Sequence, residues 1–120
     1  MTTVEILEKA KALLATPNNV VLNPAHYFED AHGKNIRDYD PSVTRFCLFG
    51  ALLATFSIEG LTPILSSGQP KNLLLRVVDA HRFRAFHDAI PANHAWMLAI
   101  YDEAIADAKD IEEGEKNDNG

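Results

Sequence analysis

Few residues in this chain have the chemistry that enzymes use, and their spacing keeps most of them apart. Cys47 is the only thiol. A nucleophilic cysteine needs a helix N-terminus or a nearby cation to lower its pKa. The pattern of residues 41–58 predicts a helix with Cys47 about two turns inside it, where it serves as a small packing residue. The five histidines are His26, His32, His81, His87 and His94. No two stand at the i, i+4 spacing that lets one helix present two zinc ligands, so no metal site and no catalytic residue is assigned. His87-Asp88, between Phe86 and Pro91, is the pair best suited to acid–base work. Arg82 and Arg84, with Arg76 and His81, form the most basic local stretch and suit a phosphate or an acidic partner. Trp96 falls off the apolar stripe of its predicted helix, and an exposed tryptophan is a common interface anchor. The candidate binding residues are therefore Trp96, Arg82, Arg84, His87 and Asp88.

The motifs of the large enzyme classes are missing. The sequence has no Walker loop, no G-x-G-x-x-G, no H-E-x-x-H and no G-x-S-x-G. No cofactor is predicted, and an enzyme is the less favoured reading. With 120 residues and about half of them apolar, one domain with one core is expected. A single cysteine excludes an internal disulfide and a cysteine-based zinc cluster, and it favours a reducing, cytoplasmic setting. The amphipathic N-terminus carries Glu5 and Glu8, unlike a signal peptide. The uncharged apolar stretch 46–58 is 13 residues long. A membrane span needs about 20, so no membrane association is expected.

Charge divides the chain. Residues 1–101 balance nine acids with nine bases, whereas residues 102–120 hold eight acids against Lys109 and Lys116. The net charge of −6 thus lies wholly in the last 19 residues. A non-specific nucleic-acid binder shows the opposite, a basic face, so no nucleic acid is expected.

These residues need a scaffold, and the periodicity supplies a mainly α one. Thr2 and Glu5 fit a capping box that opens a helix over 3–15, with Ile6, Leu7, Ala10, Leu13 and Leu14 on one stripe. Residues 20–39 read as a small, irregular hairpin, with Gly33 suited to a positive φ in the turn Asp30-Ala31-His32-Gly33. Asp40 and Pro41 read as the N-cap and first residue of a second helix that ends near Ile58 and is closed by Gly60. It is apolar on nearly all sides, which predicts the central, most buried helix. Its small stripe is Cys47, Gly50, Ala51 and Ala54, and Gly50 implies a backbone approaching closely. Phe46, Phe49, Leu53 and Phe56 form its bulky stripe. A third helical segment, 71–90, carries Leu74, Val77 and Val78, then loses phase near His81, predicting a kink or two short helices. A fourth helix follows Pro91, capped by Asn93, and runs to about Ile111 on a stripe of Met97, Leu98, Tyr101, Ala104, Ile105 and Ala108. The prediction is one domain over 1–111, a bundle of four principal helices with a small β or irregular hairpin between the first two. Residues 112–120 follow as a disordered acidic tail.

Two segments carry a resemblance. Phe46-Cys47-Leu48-Phe49-Gly50-Ala51-Leu52 is one, and Phe86-His87-Asp88 with Pro91 and Trp96–Ile105 is the other. In order and spacing they resemble a family of small uncharacterised bacterial and phage proteins. That family has a Cys-x-x-Gly-Ala-Leu helix, an aromatic-Asn-Asp motif and a final amphipathic helix. The turn Asp30–Gly33 matches its Asp-x-x-Gly turn. His87 departs from the family's Asn, and His26-Tyr27 from a Trp-containing stretch. The resemblance implies a helical fold, a grouping of Cys47, Gly50 and Asp88, and no particular activity. Two functional readings stand. The first is a small interaction or regulatory module that binds a protein partner as a monomer or homodimer. The second is a small-ligand site or enzyme near Cys47 and Phe86–Asp88.

Overall fold

The computed structural model describes residues 1–21, 26–61, 68–88 and 94–118, with the helical stretches 81–88 and 115–118 described by backbone alone. The fold is mainly α: among the described residues, four helices with a small three-stranded antiparallel sheet. Helix α1 spans Thr3–Leu13, followed by a short 3-10 turn at Pro17–Asn19. Strands β1 (Phe28–Glu29), β2 (Asn35–Ile36) and β3 (Arg45–Phe46) come next. Helices α2 (Leu48–Ile58), α3 (Gly68–Asp88) and α4 (His94–Asp118) complete the chain. Among the described residues no helix is long and apolar enough to cross a membrane.

The capping box forms as the sequence predicts. The Thr2 hydroxyl accepts from the Glu5 N–H, and the Glu5 carboxylate accepts from the Thr2 N–H. Ile6, Leu7, Ala10 and Leu14 are buried. This helix is shared by the other three, packing against α2, α3 and α4. Ion pairs fasten its polar edges, Lys11 to Asp102 at 2.6 Å and Lys9 to Glu59 at 2.9 Å. Asp102 on the acidic face of α4 is therefore taken up by Lys11 of α1. At the far end of α1 the His94 imidazole donates to the Leu14 carbonyl at 2.6 Å, satisfying a C-terminal acceptor that the helix leaves open. This histidine is a capping group.

The hairpin is a sheet of order β2-β1-β3. Its turn uses the Asp30 side chain, which accepts from the His32 and Lys34 N–H groups, while Gly33 takes φ 78°. The backbone N–H of Lys34 holds the Asp30 carboxyl below its ordinary range. The third strand corrects the predicted start of the second helix. Asp40-Pro41 opens a turn instead: the Asp40 side chain accepts from the Ser42 N–H at 2.7 Å and from its hydroxyl, and Val43 N–H reaches the Asp40 carbonyl. An acceptor side chain before a proline begins either element. What decides is the next segment, where Arg45 and Phe46 pair with Glu29 and Phe28 of β1.

Helix α2 thus begins at Leu48, with Cys47 as its N-cap. Its C-terminus falls at Ile58 and Gly60 takes φ 66°, both as predicted. It is not the central helix, since Leu53 is 44% and Ile58 52% exposed. The two bulky positions Phe46 and Phe56 are buried, but Phe46 belongs to β3. The two short helices offered for 71–90 do not occur, since α3 continues through His81 as one helix. Leu74, Val77 and Val78 are buried as its stripe requires. Helix α4 runs past Ile111 to Asp118, so Glu112 and Glu113 are helical rather than the start of a disordered tail. Glutamate and lysine are good helix formers, and a helix can outlast its apolar stripe. The predicted Asn93 cap and the turn at Pro91 lie outside the described residues.

The small stripe on α2 meets the backbone the sequence implies. The Tyr27 carbonyl accepts from the Cys47 N–H at 3.0 Å and lies so close to Gly50 that any Cβ there would collide with it. Nearby, the fully buried Tyr101 hydroxyl donates to the Leu48 carbonyl at 2.6 Å, fastening α4 to the first turn of α2. Since the obstacle at Gly50 is backbone, it yields only by moving the strand. Gly50→Ala should therefore destabilise the protein by about 2 kcal/mol despite alanine's better helix propensity. Urea denaturation read by far-ultraviolet circular dichroism measures this, and an unchanged or raised midpoint would contradict the contact.

Candidate binding site

The residues singled out in the sequence do not assemble into a reactive centre among the described residues. Cys47 is an N-cap whose Sγ accepts from the Gly50 N–H at 3.2 Å. It is therefore nearer the helix start than predicted. The thiol gains no acidity there, because burial pushes its pKa up and outweighs the N–H groups of Gly50 and Phe49. A thiol held neutral is a poor nucleophile. Arg82, Arg84, His87 and Asp88 occupy the last two turns of α3, and their side chains lie outside the described residues. No group of three His, Cys, Asp or Glu side chains that could hold a metal occurs among the described residues. Trp96 is not an exposed anchor: it is half-buried and packed against the core.

One buried ionic group is explained by the sheet. Glu29, 7% exposed, receives a hydrogen bond from the His26 Nδ1 at 2.6 Å. It also faces the Arg45 guanidinium at 3.7 Å across the β1–β3 pair. Arg45 in turn donates to the Ala31 carbonyl. The cluster closes the sheet on itself, and its His26–Glu29 bond spans the bend that turns the Tyr27 side chain outward.

That bend leads to the feature that the sequence reading missed. Helices α2 and α3 both pack on α1, and α3 lies along α4, but direct packing between α2 and α3 is slight. A cleft of about 320 Å3 opens between them, lined by Tyr27, Phe49, Leu52, Leu53, Phe56, Lys71 and Leu75. Tyr27 is 57%, Leu53 44% and Leu75 38% exposed. A second hollow of about 310 Å3 adjoins it through the shared residues Tyr27 and Leu53, and adds Phe28, Arg37, Asp38, Tyr39 and Ser57. The α2 residues lining the main cleft are 49, 52, 53 and 56, an i, i+3, i+4, i+7 set. The apolar continuity of α2 was read as burial on all sides, whereas one of its faces borders this open cleft. The Phe49–Leu53–Phe56 stripe was the available signal.

Comparison of the chain with protein-family models, with curated proteins and with solved structures finds no match.

Two outcomes follow from this placement. Removing the half-buried Trp96 ring strips contacts from the core, so Trp96→Ala should cost about 2 kcal/mol in urea denaturation; an unchanged midpoint would return it to the surface. Tyr101 and Cys47 share a second, pH-dependent effect. Burial raises the Tyr101 pKa well above its ordinary value, with the neighbouring Cys47 adding to the rise, and burial also raises that of Cys47. Both groups are held neutral in the fold and ionise more readily once unfolded. Their contribution is complete below the unfolded values, about 9 for the thiol and 10 for the phenol, and fades as pH rises beyond them. The thermal midpoint should fall between pH 9 and 11, and Tyr101→Phe should flatten that fall while lowering stability at pH 7.

Proposed function

We propose that this chain is a binding module that docks a protein partner in the apolar cleft between α2 and α3, and that it is not an enzyme. The observation that carries this reading is the continuous exposure of Tyr27, Leu53 and Leu75 around a cleft whose floor is Leu52 and Phe56. Single exposed apolar side chains are ordinary on a protein surface, but a contiguous group around a concavity marks an interaction site. The polar chemistry around it is sparse. Lys71 is the sole charged group lining the main cleft among the described residues, and the nearby thiol is capped and neutral. This supports recognition over catalysis. The resemblance carried by residues 46–52 and 86–105 makes a bacterial or phage accessory factor the setting we propose.

The test is a photo-crosslinking residue at Leu53 in the full-length protein, with the same residue at Lys109 on α4 as control. Cells of the native host should yield a defined adduct from position 53 that position 109 does not give. Added Leu75→Glu should remove that adduct while the thermal midpoint stays within a few degrees. Equal labelling from both positions, or an adduct indifferent to Leu75→Glu, would overturn the proposal.

A further inference from the structure

Resting on the docking reading above, we infer that the occupant of the α2–α3 cleft is an amphipathic helix of a partner protein with a carboxylate beside its apolar stripe. The length fits first. The lining residues Phe49 to Phe56 span seven helical steps, about 10 Å of axis. That matches two turns of a facing helix and its own i, i+3, i+4, i+7 anchors. The shape fits second. On α2, Leu52 and Phe56 are buried in the floor while Leu53 stands 44% exposed and Phe49 half-buried between them. These form ridges against which a helix can set its side chains. Leu75 of α3 forms the opposing wall.

Charge selects the sign of the partner. Among the described residues no carboxylate lines the main cleft and none pairs with Lys71. Lys71 lies in the first turn of α3, whose N-terminal end carries partial positive charge of the same sign. The adjoining hollow adds Arg37, with Asp38 next to it. A second copy of this chain is the poorer occupant, because the face that carries its exposed Leu53 and Leu75 also carries Lys71 and would set like charge against like.

The experiment uses the full chain and two synthetic 16-residue helical peptides. They share one leucine stripe and carry Glu in one and Lys in the other on the flanking positions. Fluorescence anisotropy at 50 mM salt should give at least tenfold tighter binding for the Glu peptide. Lys71→Glu should weaken that binding about fivefold, and raised salt should narrow the difference between peptides. Leu53→Glu, with a circular-dichroism melt confirming the fold, should abolish it. Equal binding of both peptides, lost in Leu53→Glu, would overturn the acidic partner while the docking reading survives. Binding of either peptide that Leu53→Glu and Leu75→Glu leave intact would overturn both. Light scattering that shows a dimer dispersed by Leu53→Glu would assign the cleft to a second copy, and saturable binding of dodecanoate without peptide binding would assign it to a small amphiphile; either overturns the inference.

Discussion

The contact between the Tyr27 carbonyl and the first turn of α2 is the constraint on which the remaining architecture rests. The carbonyl accepts from the Cys47 N–H and lies against Gly50 where no side chain fits. A strand end is thereby pinned to a helix start. From that junction β3 can hand over to α2 without a connecting loop, with Cys47 serving as the last extended residue and as the cap. The same turn of α2 presents the Leu48 carbonyl to the Tyr101 hydroxyl. Sheet, α2 and α4 therefore meet within four residues, 47–50. A polar bond inside so apolar a surrounding is strong because water cannot compete for it, and its loss would strand two buried groups.

That junction also determines what stays exposed. With its carbonyl turned inward, Tyr27 directs its ring outward and it becomes the wall common to both hollows. The His26–Glu29 bond closes the bend around it, and Glu29 is itself held opposite Arg45. The cleft is thus not an accident of loose packing. It arises because α2 and α3 both pack on α1 but only slightly on each other, leaving an apolar face of α2 open.

Much of this was legible in the residues. Thr2 and Glu5 announced a capping box, Gly60 a helix end, Gly33 a turn, and Gly50 a close backbone approach. The stripes of Leu74, Val77 and Val78 and of Met97, Tyr101, Ala104 and Ala108 identified the buried faces. The failures have physical causes. Asp40 before Pro41 satisfies a turn as well as a helix start, and only the long-range pairing of Arg45 and Phe46 with β1 decides between them. Cys47 was placed too deep because a thiol is a weak acceptor and an unusual cap. The polar residues after Ile111 gave no stripe, yet helix propensity sufficed to continue α4. The cleft escaped because a helix apolar on every side reads as buried, and sequence carries no measure of how far apart α2 and α3 stand.

The charge distribution then acquires a structural meaning. The net −6 is concentrated on α4 and the residues beyond it, and α4 contributes no wall to the cleft. One of its acids is paired within the fold, Asp102 with Lys11, whereas Lys109, one of its few bases, faces Glu8 of α1. At physiological ionic strength exposed charges are screened beyond about 8 Å, so a helix entering the cleft responds to the charges lining it more than to the protein's total. There the balance is reversed among the described residues, with Lys71 the one charged group lining the main cleft and Arg37 beside Asp38 in the next. An acidic protein can therefore recognise an acidic segment, provided that its own carboxylates are sequestered on an element that takes no part in the contact. Here the packing of α4 on α1 and α3 provides that separation.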